Sequence, residues 1–360
     1  MAKFRVLIAG GGTGGHIIPA LAVARELVEH YDAEVLFVGT ERGLELKLVP
    51  EAGFLLRLID VGPLNRVSLL TRLNTLYHLP GAMANCKRLI GEFDPGVVLG
   101  VGGYVSGPMM AAALRLKLPT MLFEPNAMPG MTNRWVGKRV DASAVNFPAA
   151  TSWFNNCEVT GIPVRPAFFT LPKPDPAKPH LLITGGSQGA QLFNTHLPKV
   201  IQQLLEAVPE LTVQHQSGAR HLRITESAYN ASGADPARWQ VQPFIDDAPA
   251  SFARASVVMS RAGASTVAEL AASGKPALLV PFAAAADGHQ MKNGEAMAAA
   301  GAAVVLSEPE LDVEGKLLQT LVDLFSNTER LEAMSAAART QAHPDAAERI
   351  ARRLAKLARA

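Results

Sequence analysis

The sequence predicts an α/β fold of two doubly wound domains, each a parallel sheet with helices on both faces. The first observation is length, because 360 residues exceed what one core usually organises and favour two domains of about 150 to 200 residues. The second is the alternation of short apolar runs with helical patterns. The third is a plan of buried strand, glycine turn and helix that opens the chain and returns at residues 180–205.

Each element of this fold follows from a local pattern. Apolar runs predict strands near 4–9, 34–38, 96–100, 119–123, 211–214, 256–259, 277–280 and 302–306, and helical periodicity predicts helices near 17–29, 69–91 and 107–116. Prolines in 161–179 interrupt all periodicity, so we predict domains over 1–162 and 163–342. The segment 343–360 is predicted to be a basic amphipathic helix with Ile350, Leu354 and Leu357 on one face. It either closes the fold or attaches to a membrane.

Composition and charge exclude some classes of function and indicate the compartment. The net charge of +2 argues against a dedicated nucleic-acid binder, which usually carries a strongly basic face. Cys86 and Cys157 stand in no metal-like spacing and suit a reducing compartment. The chain shows no secretory signal pattern and no run approaching roughly 18 apolar residues. We therefore expect a cytoplasmic protein, unless its surface attaches it to a membrane.

The opening turn satisfies a dinucleotide fingerprint. Gly10, Gly12 and Gly15 fit G-x-G-x-x-G between a strand and a helix, where backbone N–H groups and the helix start favour an anion. A nicotinamide-dependent oxidoreductase is one interpretation, with Glu41 holding a ribose or Arg42 a 2′-phosphate. Two further glycine turns, at 98–110 and 183–191, instead favour a transfer between two phosphorylated substrates.

Two sets of polar residues are candidates for chemistry. His16 stands at a helix start, which favours neutral imidazole, so it is a candidate general base; a purely local hydrogen bond is the alternative. Ala264, Ser265 and Thr266 open a helix in which Glu269 either completes a capping box with Thr266 or accepts hydrogen bonds from a sugar diol. The cluster Asp287, His289, Gln290 and Asn293 indicates a binding loop.

Seven motifs together resemble the MurG family of glycosyltransferases over residues 4–345. They are, in order, GGTGGHIIPALAVA, GVGGYVSGP, EPNAMPGMTN, GIPVR, GGSQGA, FIDDAPASFARASVVMSRAGASTVAEL and DGHQMKNGEAM. The resemblance implies a GT-B fold, two Rossmann-like domains facing a deep cleft, with the C-terminal helix crossing back to the first domain. It implies inverting transfer of N-acetylglucosamine from UDP-N-acetylglucosamine to the C4 hydroxyl of the muramoyl sugar of lipid I, giving lipid II for peptidoglycan.

The resemblance also assigns residues by matching positions. In the C-terminal domain it implies a donor site in which Ile245 meets uracil through its backbone and Glu269 meets the ribose, with the remaining donor contacts from Arg165, Ser187, Gly189, Ala264, Ser265, Thr266, His289 and Gln290. In the N-terminal domain it implies an acceptor site formed by Thr13, Gly14, Gly15, His16, Gly102, Gly103, Tyr104 and Ser106. His16, Glu269 and Asn126 are the expected catalytic residues, and no cofactor or metal is expected, in keeping with the absence of a D-x-D triplet.

The sequence departs from the family pattern at two places. Phe123 and Pro125 replace a histidine and a glutamine beside Asn126, so we expect less polarity there. His289 replaces a glutamine, so one sugar contact is expected to depend on pH.

The expected location is the cytoplasmic face of the inner membrane, bound peripherally. Apolar and cationic residues in 64–90 form a candidate interfacial patch, in which Pro80-Gly81 is expected to break the helix. The candidate residues are Leu70, Leu73, Leu76, Tyr77 and Leu79 with Arg66, Arg72, His78, Lys87 and Arg88. Other cell-wall synthesis and division proteins are candidate partners, and nucleic acid is not. A noncatalytic nucleotide-sugar binding protein stays open as an alternative.

Overall fold

The computed structural model describes residues 4–12, 14–41, 43–61, 69–186 and 188–358, with only the backbone over 69–79. The chain divides into two compact units. Unit 1 comprises residues 1–163 and 345–360, and unit 2 comprises 164–344. Each unit is a parallel sheet covered by helices, so the predicted fold class is confirmed.

Unit 1 holds a seven-stranded parallel sheet in the order β3-β2-β1-β4-β5-β6-β7. Its strands are β1 (Arg5–Gly10), β2 (Glu34–Gly39), β3 (Leu55–Leu58), β4 (Val97–Gly102), β5 (Thr120–Glu124), β6 (Ala142–Val145) and β7 (Cys157–Val159). Its helices are α1 (Gly14–Tyr31), α2 (Glu45–Glu51), α3 (Leu69–Phe93), α4 (Ser106–Arg115) and α5 (Met131–Val136). The central strands β1 and β4 pair from Val6 with Val97 onward and are almost wholly buried.

Unit 2 repeats the plan with six parallel strands in the order β10-β9-β8-β11-β12-β13. These are β8 (His180–Thr184), β9 (Thr212–Gln216), β10 (Trp239–Gln242), β11 (Val257–Ser260), β12 (Ala277–Leu279) and β13 (Ala303–Val305). The helices are α6 (Gln191–Ala207), α7 (Leu222–Asn230), α8 (Ala248–Arg254), α9 (Ala264–Ser273), α10 (His289–Ala299), α11 (Lys316–Phe325) and α12 (Thr328–Arg339). Parallel strands bring their carboxyl ends to one edge, so the turns after β8 and β11 share that edge.

The last helix, α13 (Ala346–Leu357), belongs to unit 1 and packs against α1. Ile350 and Leu354 are fully buried there, so this apolar face is core and not a membrane surface. The polar side of the helix is held by Glu158, which accepts hydrogen bonds from Arg349 at 2.8 and 3.0 Å and from Arg353 at 2.7 Å. Of the two alternatives for this segment, the structure supports the closing helix.

Helix α3 corrects one prediction, because it runs unbroken through Pro80. An internal proline removes one backbone hydrogen bond, and here the turns on either side still continue.

Of the candidate interfacial patch, Arg66 lies outside the described residues, and the side chains of Leu70, Arg72, Leu73, Leu76, Tyr77, His78 and Leu79 are not described. After Pro80, Cys86, Leu89 and Ile90 are buried while Lys87 and Arg88 are exposed. Within the described residues, no helix is long and apolar enough to cross a bilayer.

Candidate active site

The first glycine turn of unit 1 connects β1 to α1 and places His16 in the first helical turn. His16 Nδ1 lies 3.3 Å from the carbonyl oxygen of Gly11. A carbonyl oxygen only accepts, so this contact places the hydrogen of a neutral imidazole on Nδ1 and its lone pair on Nε2. The turn after β4 approaches the same ring, because a Cβ on Gly102 would stand 3.0 Å from His16 Nε2. The structure therefore brings the first two predicted turns together around His16.

A buried carboxylate that the sequence analysis missed supports this turn. Glu45, the first residue of α2, is fully buried and accepts hydrogen bonds from the backbone of Gly12 at 2.8 Å and from the backbone and hydroxyl of Thr40 at 3.0 Å. The segment GTERGLE contains the available signal, since two glycines beside an acid leave room for its side chain. The sequence analysis considered Glu41 as the functional acid of this segment, but Glu41 is exposed.

Glu45 weakens the oxidoreductase interpretation. In that fingerprint the turn amides approach a pyrophosphate, whereas here the Gly12 N–H donates to a carboxylate inside the protein. Glu41 is exposed, and Arg42, the candidate for a 2′-phosphate, lies outside the described residues. The first turn therefore does not present all the amides that a dinucleotide uses.

Asn126 follows β5 at the same edge of the sheet, and a second buried acid orients it. Glu124 accepts from the Asn126 backbone at 2.9 Å and side chain at 3.1 Å, and also from Gly130 and Asn133. Burial raises the pKa of Glu124, and these hydrogen bonds oppose the rise. Phe123 and Pro125 are both buried, and the lower polarity expected beside Asn126 stays a prediction. The carboxylate of Glu124 is a polar group in contact with the Asn126 side chain.

The other predicted acceptor residues occupy different environments. Thr13 lies outside the described residues, and Gly14 and Gly15 begin α1. Gly103 has a left-handed φ of 81° and packs on Gly11, while the Tyr104 ring is half exposed. Ser106 begins α4 but is fully buried, so its side chain cannot reach a ligand at the surface and only its backbone could. The sequence did not distinguish these two kinds of contact.

The turn after β8 in unit 2 is held by a neutral amide. Gln216 Nε2 donates to the carbonyl oxygen of Gly186 at 2.8 Å, and Thr184 Oγ1 donates to Gln216 Oε1 at 2.7 Å. Gly189 has a left-handed φ of 71° and fits directly against the backbone of Ser217, where a Cβ has no room. Ser187 lies outside the described residues.

The start of α9 is the second element of this edge. Gly263 caps the helix without a side-chain hydrogen bond, and Glu269 falls in the second helical turn, so the capping box predicted as an alternative does not form. The backbone N–H groups of Ala264, Ser265 and Thr266 are those that a helix start leaves without intrahelical partners. Ser265 Oγ is buried and has no hydrogen-bond partner among the described residues. This helix start therefore has the donors that an anion needs.

Glu269, in the second turn of α9, has a pKa shifted far from its ordinary value. Burial raises the pKa of its carboxyl to about 7, and Arg165, whose Nη2 lies 3.7 Å from Glu269 Oε1, opposes that rise. The Arg165 side chain is 52% exposed, so water screens its charge and burial prevails. Arg165 also lies over the ring of Phe168 at 5.0 Å. A carboxylate that gains and loses its proton near neutral pH is typical of functional sites.

The remaining predicted donor residues lie in the first turn of α10 and in the segment between β10 and α8. Gln290 Oε1 accepts from the Phe282 backbone at 2.9 Å, which directs its amino group away from that backbone. His289 begins α10, and Asn293 is buried and donates to the Ala262 carbonyl at 3.1 Å, which makes Asn293 a support for the loop. Ile245, between β10 and α8, has a buried side chain, so its backbone alone suits a ligand.

Arg261 is a further residue that the sequence analysis missed. Its guanidinium stacks between the rings of Phe193 and Phe282, at 5.1 and 5.2 Å, and pairs with Glu308 at 2.6 Å. It also donates to the Val280 carbonyl at 3.1 Å. These contacts fix the loop that leads into α9. Within the described residues, no three His, Cys, Asp or Glu side chains gather as a metal ion would require.

Comparisons with known proteins match both halves of the chain. The glycosyltransferase family 28 N-terminal domain matches residues 6–145, and the family 28 C-terminal domain matches 180–350. A relative from Anaeromyxobacter sp. (strain Fw109-5) is 43% identical, covering 99% of this chain and 94% of its own. One from Solibacter usitatus is 42% identical, covering 98% and 96%. Both are named UDP-N-acetylglucosamine--N-acetylmuramyl-(pentapeptide) pyrophosphoryl-undecaprenol N-acetylglucosamine transferase.

A solved structure agrees with these relatives. The crystal structure of MurG from Acinetobacter baumannii superposes with a TM-score of 0.80 at 30% identity, covering 98% of this chain and all of that one. The resemblance inferred from the seven sequence motifs is thereby confirmed. The chain belongs to the MurG family, within glycosyltransferase family 28.

Proposed function

We propose that this protein transfers N-acetylglucosamine from UDP-N-acetylglucosamine to the C4 hydroxyl of the muramoyl sugar in undecaprenyl-diphospho-muramoylpentapeptide, converting lipid I to lipid II. The observation that carries the proposal is identity of 43% over 99% of the chain with a relative named for this reaction. The glycine turns and titratable groups at the strand ends of both units supply chemistry suited to it.

Unit 2 binds the donor in this proposal. The backbone N–H groups of the turn after β8 and of the α9 start donate hydrogen bonds to the diphosphate, and the Ser265 hydroxyl lies beside those of α9. Glu269 accepts hydrogen bonds from the ribose diol, Ile245 meets uracil through its backbone, and Gln290 with His289 meets the sugar hydroxyls. Arg165 neutralises charge that develops on the departing UDP.

Unit 1 binds the acceptor. The starts of α1 and α4, with Gly102 and Gly103 between the strands and these helices, offer backbone N–H groups to the lipid diphosphate. His16 Nε2, which carries the lone pair of the neutral imidazole, accepts the proton of the C4 hydroxyl. Asn126, held by Glu124, orients the acceptor sugar.

The chemical step is a single displacement. The C4 oxygen forms a bond to C1 of the donor sugar as the bond from C1 to the UDP oxygen breaks, which inverts the anomeric centre. The hydroxyl proton goes to His16, and the electron pair of the broken bond leaves with UDP. Preorganised donors at the helix starts and Arg165 stabilise that charge without reorganisation, a contribution that can exceed that of the base.

The protein is further proposed to act at the cytoplasmic face of the membrane, because its acceptor is anchored there. Of the candidate interfacial patch, Lys87 and Arg88 on α3 are exposed cations that suit anionic headgroups, and Arg88 also pairs with Glu92 at 2.7 Å. Sedimentation with anionic and neutral vesicles tests this: binding that is stronger to anionic vesicles and weakens in Lys87→Gln/Arg88→Gln supports it, and equal recovery in the supernatant contradicts it. Partners in cell-wall synthesis and division stay predictions.

Transfer of labelled N-acetylglucosamine to a short-chain lipid I analogue tests the reaction itself. Robust transfer that is lost in His16→Ala and Glu269→Ala supports the reaction and both roles. Tight UDP-N-acetylglucosamine binding without transfer would instead favour a noncatalytic binding protein. Absorbance of bound nicotinamide would return the oxidoreductase to consideration.

A further inference from the structure

The buried carboxylate of Glu45 has no part in the roles proposed above, yet it contacts the turn that carries His16. We infer that Glu45 is a positioning residue for His16, which fixes the first glycine turn so that the imidazole presents Nε2 to the acceptor. The inference rests on the proposed function for the role of His16. It assigns Glu45 no contact with either substrate.

The contacts around Glu45 leave its carboxylate no freedom. It accepts from Gly12 at 2.8 Å and from the Thr40 backbone and hydroxyl, both at 3.0 Å. Gly11, Gly39 and Gly43 surround it so closely that a Cβ on any of them would overlap the Glu45 side chain. Three glycines from three segments thus close around one acid, which fixes the turn relative to β2 and α2.

Gly11 transmits this arrangement to His16. The α-carbon of Gly11 faces the Glu45 carboxylate, and its carbonyl oxygen lies 3.3 Å from His16 Nδ1. The second turn packs on the same carbonyl, since a Cβ on Gly103 would be 2.6 Å from Gly11 O. The carbonyl that sets the tautomer of His16 is therefore held by Glu45 on one side and by Gly103 on the other.

Removing the carboxylate would release this carbonyl. Without Glu45, the Gly12 and Thr40 N–H groups lose their acceptor inside the protein, and buried donors without acceptors are costly. The turn is expected to shift until they find new partners, and Gly11 O shifts with it. His16 Nδ1 then loses the acceptor that selects its tautomer.

The test uses the full-length protein with three changes. Glu45→Ala removes the acceptor, Glu45→Gln keeps one acceptor oxygen, and Gly43→Ala displaces the intact carboxylate, because its Cβ would overlap Glu45 Oε2, the oxygen that accepts from Gly12. Val49→Ala is the matched control, because Val49 is fully buried in the same helix and its apolar side chain accepts no hydrogen bond from the turn. Measurements are kcat and acceptor KM, the Kd of UDP-N-acetylglucosamine, and ¹⁵N shifts of the His16 imidazole assigned with His16→Gln.

We expect Glu45→Ala to lower kcat about 100-fold while the donor Kd stays within about twofold, since small misplacement of a catalytic group has effects of this size. Glu45→Gln should recover only part of the loss, because its NH2 group would face the N–H of Gly12 or of Thr40 and leave that donor without an acceptor, and Gly43→Ala should reproduce the loss. The His16 ¹⁵N spectrum should change from one tautomer to a mixture in Glu45→Ala and Gly43→Ala, and stay unchanged in Val49→Ala.

Two results would overturn the inference: an unchanged His16 spectrum in Glu45→Ala, or the same loss of kcat in Val49→Ala. Failure of the proposed function has a different signature. In that case the wild-type protein transfers no sugar to the lipid I analogue, while the spectrum still reports whether Glu45 selects the His16 tautomer. The spectrum of Gly43→Ala decides the point if Glu45→Ala does not fold.

Discussion

The glycine turns after β1 and β8 share a plan of strand, turn and helix but are supported by groups of opposite polarity. Beneath the first turn the acid Glu45 accepts a hydrogen bond from the Gly12 amide at 2.8 Å. Beneath the second turn the neutral Gln216 donates to the Gly186 carbonyl, also at 2.8 Å. Both supporting side chains are buried.

The difference matters for what each turn can bind. An acid beneath a turn adds negative charge and accepts a hydrogen bond from a turn amide, so that amide is not available to a ligand. A glutamine that donates to a turn carbonyl adds no charge and leaves the turn amides available. The second turn is therefore better suited to the diphosphate of a soluble nucleotide sugar, and the first to holding His16 in place. Two turns that look alike in sequence are thus specialised by the residue beneath them.

The largest expected effect is at the first turn. His16→Ala should lower kcat about 10³-fold, within the range typical of a positioned general base, because the C4 hydroxyl loses its proton acceptor. The donor Kd should not change, since His16 belongs to unit 1. Initial rates of labelled transfer and calorimetric titration with UDP-N-acetylglucosamine measure the two quantities.

His30→Ala is the control for this change, because His30 lies in the last turn of the same helix and its side chain is 56% exposed. It should retain wild-type rates. A His16→Ala protein with normal kcat would remove His16 from catalysis and, with it, the contrast between the two turns.

Replacing Gln216 by an acid gives the second turn the same kind of supporting residue as the first, which tests the comparison directly. Gln216→Glu places an acid beside the Gly186 carbonyl and under the proposed diphosphate, so the donor Kd should rise about 30-fold, the cost of one charged contact made unfavourable. Titration at two salt concentrations measures it, and the loss should change little with salt because position 216 is buried. Gln240→Glu adds the same charge at an exposed site on β10, and an equal rise there would mean that net charge alone is responsible.

The proposed donor site in unit 2 should bind UDP-N-acetylglucosamine with an affinity that depends on pH through Glu269. Its carboxyl has a pKa raised to about 7 by burial, so as pH falls below 7 the free protein gains a proton that ribose binding must displace. The donor Kd should therefore rise about tenfold between pH 8 and pH 6. UDP-N-acetylglucosamine is the appropriate ligand, because its diphosphate does not titrate in this range. Glu269→Gln should bind more weakly at pH 8 but show a flat profile, and a sloping profile in that variant would assign the titration elsewhere.

The sequence sufficed for most of the fold because buried parallel strands and glycine turns leave strong local patterns. The strands β1, β2, β4, β5, β9, β11, β12 and β13 were predicted within about two residues of their observed ends, and β8 was predicted without bounds as the strand that opens 180–205. The short strands β3, β6, β7 and β10 were not predicted. The strands β3, β7 and β10 are edge strands, and their partial exposure weakens the apolar pattern. The strand β6 is buried, but Ser143 interrupts its short apolar run.

The candidate site was only partly predictable, and the missing part has a common cause. Motifs identified the residues at the surface of each turn, such as His16 and Glu269. Glu45, Glu124 and Arg261 support these residues from within the protein. Glu45 and Arg261 meet partners 20 or more positions away, such as Gly12 for Glu45 and Phe282 for Arg261, whereas Glu124 contacts Asn126, Gly130 and Asn133 within nine positions. Apart from the glycines beside Glu45, spacing does not show which groups each buried side chain meets, because the packing of the folded chain decides that. The capping box failed for a related reason, because spacing alone does not fix where a helix begins.

The smallest expected effect concerns stability and is confined to unit 1. Glu158 holds Arg349 and Arg353 of α13, and their hydrogen bonds keep its pKa below the ordinary value although burial opposes them. A carboxyl with a lowered pKa stabilises the fold above its ordinary pKa and loses that contribution as pH falls through the lower value. Glu158→Gln should therefore lower the unfolding free energy by about 1 kcal/mol at pH 7 and by less at pH 3, because the pair is partly exposed.

Chemical denaturation monitored at both pH values measures this effect, and the donor Kd of unit 2 should not respond. Arg352→Gln is the matched control, since the pair of Arg352 with Glu348 lies on the exposed side of the same helix. If Glu158→Gln weakened donor binding, the two units would be energetically coupled through α13. The separation between a donor unit and an acceptor unit, on which the contrast of the two turns depends, would then have to be given up.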